Sequence, residues 1–241
     1  MTTTIAERFD RLDAAIQQGR VCRDAWVDPL GRACLLFTLA PEIEDESTEL
    51  RYDAQRCPAD LMPAWLAVMT THIDDNGSAE AWPTTIRRYA SVVRRACLTF
   101  SADEWERVYV SLFIVLLDAV LTGHEHALTP AQAKWMEQTR ATGTFYSFAE
   151  IEEAPAPDPA DSEHSFAVRS GIETLFCSLQ ANSKYGESGD LLAFVKCCMG
   201  RASFLGFWGK PFARRTLSQW DLIIDTILDT IEAALPPKAA P

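Results

Sequence analysis

The stretch SADEWERVYVSLFIVLLDAVLTGHEH, Ser101 to His126, decides the fold. Ser101 followed three residues on by Glu104 is a capping-box start, in which each side chain satisfies the other's backbone N–H. Gly123 directly after Thr122 is a helix stop. Wound at 3.6 residues per turn, Trp105, Tyr109, Leu112, Phe113, Leu116 and Val120 share one broad face. Ile114, Leu117 and Leu121 carry that face past halfway round. Glu104, Arg107, Ser111, Asp118 and Thr122 fall in a narrow polar strip, with Val115 at its edge. A helix apolar on most of its circumference belongs in the middle of a bundle. A bilayer span needs about 20 apolar residues, and Asp118 interrupts the run. The expectation is a central buried helix over about 102–122. Asp118 is expected to be buried and to find its partner on another helix, since Arg107 lies about three turns away.

Upstream, Ile5, Phe9, Leu12 and Ile16 recur at helical spacing and predict a helix over 4–18 that ends near Gly19. A second is expected over 31–40, stopped by Pro41. A third starts from Asp60 as N-cap, with Pro63 in its first turn, and runs to about His72. Asp74-Asp75-Asn76-Gly77 reads as a turn, because Asn-Gly favours positive φ. Ser78 is a cap for the next helix, expected over about 83–98, which leads to the central one. Downstream, Thr129 caps a helix with Pro130 at its first position, running to about Arg140. Residues 154–163, APAPDPADSE, are Pro-rich and acidic and read as a linker or exposed loop. Helical patterns come after it over 165–181, 189–205 and 216–235. No stretch sustains period-two alternation. The fold class expected is an all-α bundle of roughly eight or nine helices around the central one. Its organisation is a helical bundle over 1–150, the linker over 151–164, and a helical segment over 165–241 that stands apart or packs on the first.

The chain has 241 residues, 48% hydrophobic and 23% charged, ordinary for a soluble globular protein that can bury a core. A net charge of −12 disfavours nucleic acid and anionic membranes, whose phosphates the far field repels. Seven cysteines, an odd number without a C-x-x-C pair, fit reduced core thiols of a cytoplasmic protein. The first residues lack the apolar core of a signal peptide. The excess of arginine over lysine, with abundant alanine, suits a bacterial chain from a GC-rich genome.

Four constellations carry chemistry. Arg87, Arg88, Arg94 and Arg95 fall within about 120° on one helix, a cationic stripe in an acidic chain. Guanidinium forks suit phosphate, carboxylate or an acidic partner helix; the same four also suit a solvated face balanced by the chain's own acids. The segment 200–215 interleaves Phe204, Phe207, Trp208 and Phe212 with Lys210, Arg214 and Arg215. Aromatics beside cations can stack nucleic-acid bases, mark protein interfaces, or else fill a core at a helix end. His72, Asp74 and Asp75 end one helix and His124 and His126 another, a donor set for zinc or iron if the two ends meet. Finally, Asp74 and Asp75 facing Asp221, Asp225 and Asp229 could hold magnesium and a diphosphate. That pair loosely resembles the Asp-rich sites of isoprenoid synthases, although Ser183 and Glu187 do not restore the second motif and the chain is short for that family. No P-loop, dinucleotide fingerprint, nucleophile elbow or EF-hand loop is present in the sequence.

The function expected is that of a cytosolic helical protein that binds another macromolecule: an adaptor, inhibitor, immunity-type protein or chaperone. Its partner is a protein or a second copy of the chain, with no cofactor. The alternative is a metal-dependent all-α enzyme using Asp and His at helix ends.

Overall fold

The computed structural model describes residues 3–44, 46, 52–122, 125–145, 172–173, 175–177, 191–196, 198 and 219–237. The protein is an all-α multi-helix bundle. Among the described residues the helices are α1 (Ile5–Gln17), α2 (Leu35–Leu39), α3 (Ala64–Asn76), α4 (Trp82–Thr99), α5 (Ala102–Leu121), α6 (Pro130–Thr142) and α7 (Gln219–Ala234), with further helical residues at 172–173, 175–177, 191–196 and 198. Among the described residues the only β pairings are three isolated bridges. No described helix is long and apolar enough to cross a membrane.

Two compact units divide the chain. One comprises Met1–Trp105, Glu187–Gly189 and Leu217–Pro241, the other Glu106–Gly186 and Asp190–Thr216. The sequence pattern groups 165–241 together, whereas the C-terminal helix α7 clusters with the first hundred residues. The stretch 151–164, expected to be a linker, lies outside the described residues.

In the first unit α4 packs against α1 on one flank and α7 on the other, and α3 also touches α2 and α7. Phe9 and Leu12 of α1, Leu66, Met69 and Ile73 of α3, Tyr89 and Val93 of α4, and Ile227, Leu228 and Ile231 of α7 are buried in this core. The ends are set locally. Thr4 and Glu7 form a capping box at α1, and Gly19, at φ +63, supplies the left-handed residue just beyond its end. Arg8, almost wholly buried, reaches the Leu39 carbonyl at the end of α2 at 2.8 Å and forks onto Glu42 at 2.6 and 2.9 Å. Orphan carbonyls of a helix terminus are thereby satisfied by a charged donor.

Two boundaries differ from expectation. The helix expected over 31–40 begins only at Leu35, with Cys34 as N-cap. The backbone before it is diverted into a turn: the Asp28 carboxylate accepts the N–H groups of Leu30 and Arg32 at 2.9 and 2.8 Å and pairs with the Arg32 guanidinium at 2.6 Å. Helix α3 begins after Pro63 rather than at Asp60, and it continues through Asn76, over the expected turn. Gly77 closes it at φ −68, so no left-handed residue is used there.

In the second unit, α5 buries the broad face read from the sequence, while Arg107, Ser111, Val115, Asp118 and Thr122 are exposed. Phe113 is the hub of an aromatic cluster. Its ring lies 4.6 Å from Phe194, 5.0 Å from Tyr109 and 5.3 Å from Phe145. Trp135 of α6 joins through Phe145 and Phe176. Asp118 finds its partner on another helix, Arg140 of α6 at 2.9 Å. The pair is about half exposed, so the expected burial of Asp118 does not occur.

Candidate functional site

The arginine stripe is real in geometry and largely occupied. Arg88 reaches Asp225 at 3.3 Å and Glu232 at 3.2 Å on α7, and contacts Asp229 between them. Arg95 lies 3.9 Å from Glu232 and 3.5 Å from the Pro236 carbonyl. Arg94 turns the other way, to Asp10 at 2.7 Å and Asp13 at 3.1 Å on α1. The stripe therefore works as two charge seams that tie α4 to both neighbours. Of the four, Arg87 alone is exposed and makes no ion pair among the described residues.

Beside it runs a groove of about 490 Å³ between α1 and α4. Ile16 and Ala90 line it with apolar atoms; Gln17, Ser91, Arg87, Arg94 and Arg95 bring donors to it, and Asp13 is the acid within it. Arg87, Ser91 and Arg95 stand at successive fourth positions of α4, so they rise along one helix face. Gln17 and Ser91 carry no signal in the sequence, because only packing of α1 on α4 brings them beside the arginines.

Charge reversal tests the seam on α7. Replacing Arg88 and Arg95 with glutamate should lower stability by about 1–2 kcal/mol, since each exposed pair contributes about 0.2–1 kcal/mol and the new acids would repel Asp225, Asp229 and Glu232. For a chain of this size that is a fall of roughly 2–8 °C in Tm. A thermal melt identical to the native one would remove the seam.

The second candidate lies at the end of α3, where His72, Asp74 and Asp75 were expected to offer metal ligands. They are drawn to separate tasks. The His72 ring stacks on Trp220 with centroids 5.6 Å apart. Asp74 is 1% exposed, and its Oδ2 accepts the Leu35 N–H, in the first turn of α2, at 2.9 Å. Its Oδ1 meets no hydrogen-bond partner among the described residues. Asp75 faces the preceding loop and accepts the Asp24 N–H at 3.0 Å, where Asp24 holds a left-handed φ of 59. Arg23 stacks over Trp82 and gives its Nε to the Asp74 carbonyl at 2.8 Å and its Nη2 to the Gly77 carbonyl. The acids and the arginine thus fasten the loop and α2 to the end of α3.

Burial pushes the Asp74 carboxyl well above the usual range for aspartate, and pushes Asp75 up more weakly. Arg23 spends the donors named above on carbonyls, and Asp74 has no ion pair among the described residues. Among the described residues no group of three or more His, Cys, Asp or Glu could hold a metal ion. His124 lies outside the described residues, and of His126 only the helical turn is described. The aspartates of the paired reading likewise engage separate partners. Asp221 Oδ1 accepts the Ser78 N–H at 2.7 Å, while Asp225 and Asp229 belong to the Arg88 seam and Asp74 faces α2.

Phe207, Trp208, Lys210, Arg214 and Arg215 lie outside the described residues. The cysteines that are described are free of disulfides. Burial raises Cys57 to about 12 and Cys34 and Cys97 further, which keeps these thiols protonated and unreactive.

One surface feature escapes the sequence pattern. The turn carrying Val27 and Leu30 is braced by Asp28 and Arg32, and Leu30 is 79% exposed at its tip. The signal that could have found it is Asp28-Pro29-Leu30-Gly31, with proline at the second turn position and glycine at the fourth. No family model, no curated protein and no solved structure matches the chain.

Proposed function

We propose that the chain is a helical binding protein that takes up a protein partner, or a second copy of itself, on the α1–α4 face of its first unit. The observation that supports this is Arg87. An exposed guanidinium beside a concave surface, with three neighbouring arginines already bound to carboxylates, is a cation left for an external acid. The buried, protonated thiols and the inward-turned Asp74 favour this reading over catalysis at the helix ends.

Arg87→Glu tests it. The change touches no ion pair of the first unit, so stability should move by no more than about 0.5 kcal/mol. Partner capture from the native lysate, and self-association by analytical ultracentrifugation, should both be compared with the native chain. The expected result is loss of the partner, or of the dimer, with an unchanged melt. Full retention of a reproducible partner by the variant would sink the proposal.

A further inference from the structure

The groove's own charges narrow what it can hold. Arg87, Arg94 and Arg95 stand against Asp13 in its wall and Asp10 on the far side of Arg94. Arg94 is held by Asp10 and Asp13, and Arg95 lies 3.9 Å from Glu232, so Arg87 is the one cation of the groove that makes no ion pair among the described residues. A single carboxylate balances that charge; a phosphate dianion would overshoot it and face Asp13 besides. The volume of about 490 Å³ is in the range of small-ligand pockets, and suits one side chain or chain end rather than a long segment. Ile16 and Ala90 offer an apolar wall to the carbon atoms that carry the acid, while Ser91 and Gln17 add neutral donors around it.

We propose that this groove is a carboxylate-binding site, in which Arg87 takes the acid and Ser91 and Arg95 flank it. The inference rests on the binding reading above and adds the chemistry of the group recognised. The attraction of one carboxylate to one exposed guanidinium is modest and is screened by salt. Affinity for an isolated acid is therefore weak, on the order of millimolar, and falls with added salt. The carboxylate can be a peptide C-terminus, an acidic side chain or a free small acid.

The experiment uses the full chain, labelled with nitrogen-15 and observed by NMR. The probes are acetyl-trialanine with a free C-terminus, the same peptide as its C-terminal amide, acetyl-glutamate amide, and inorganic phosphate. The two carboxylate probes should shift the Ser91 amide and the Arg87 side-chain Nε–H signals saturably, and the amide probe should not. The stronger of the two carboxylates distinguishes a chain end from a side chain. Phosphate should bind more weakly than either. Arg87→Ala should weaken binding by about tenfold or more, with the amide spectrum otherwise intact, and Ser91→Ala by less; Arg107→Ala, on another helix, should change nothing. Equal shifts from the acid and its amide, tighter binding of phosphate, or unchanged affinity in Arg87→Ala would overturn the assignment. If Arg87→Glu loses its partner while no carboxylate probe binds, the binding reading survives and this chemistry is wrong. If the probes bind and the partner is kept, the site stands and is not the partner's.

Discussion

Phe113→Ala is expected to destabilise the second unit by about 3–5 kcal/mol, the range for removing a wholly buried aromatic ring. The ring is enclosed by Tyr109 on its own helix and by Phe145 and Phe194. Its loss removes transfer free energy and also leaves a cavity that three other rings cannot all collapse into. Aromatic contacts add about 0.5–1.5 kcal/mol each beyond burial, which places the cost towards the upper part of the range. Chemical denaturation followed by circular dichroism checks it. Val115→Ala, on the exposed strip of the same helix, is the control and should cost under about 0.5 kcal/mol. Equal losses from the two would show that α5 is not the buried element of its unit.

Asp74→Asn should change how stability depends on pH. A carboxyl raised above its unfolded value binds its proton more tightly when folded. Its contribution is complete below the unfolded pKa near 3.8 and is lost as pH rises through the folded value. Within that window the native chain loses up to about 1.4 kcal/mol per pH unit from this one group. Asparagine cannot ionise, and its carbonyl oxygen can keep the bond from the Leu35 N–H. The variant should lack that component, so the difference between the two stability curves rises with pH in the variant's favour. Glu42 works in the opposite sense: the Arg8 guanidinium holds it low, so its contribution is lost on acidification. It is common to both proteins and cancels in the difference. Parallel curves for the native chain and the variant would mean that Asp74 ionises freely inside the fold. Asp74→Ala should be worse at every pH, because the Leu35 N–H then has no partner, at a cost of about 1–3 kcal/mol.

The fold was legible where period and capping agree. The α5 face, the Ser101–Glu104 box and the Thr129–Gln132 box at α6 all stand where the residues place them. Boundaries were missed where a tertiary contact outweighs a local preference. Asp74 to Asn76 stay helical because Arg23, more than fifty residues earlier, covers the carbonyls at that end. No local pattern announces such a contact. The stripe was legible as a row of arginines, but its use was not. Spacing alone cannot say that Asp225, Asp229 and Glu232 lie against Arg88, since those acids belong to a helix far along the chain. Asp118 shows the same limit on a smaller scale: its partner's helix could be foreseen in kind, and its exposure could not.

The first unit closes on a helix that the chain supplies late. The seams at Arg88 and Arg95 need α7, which comes after roughly a hundred residues assigned to the second unit. At a synthesis rate of about 5–20 residues per second, α4 therefore waits several seconds or more for its flank. During that interval the flank of α4 that packs on α7 lacks its cover, and Arg88 lacks its acids. The nascent chain consequently passes through a stage with a half-built core, in which a chaperone has time to act. A circular permutation that joins the two chain ends and opens the chain after α4 would place α7 directly before α1, which removes that wait and should speed folding of the unit without altering its final contacts.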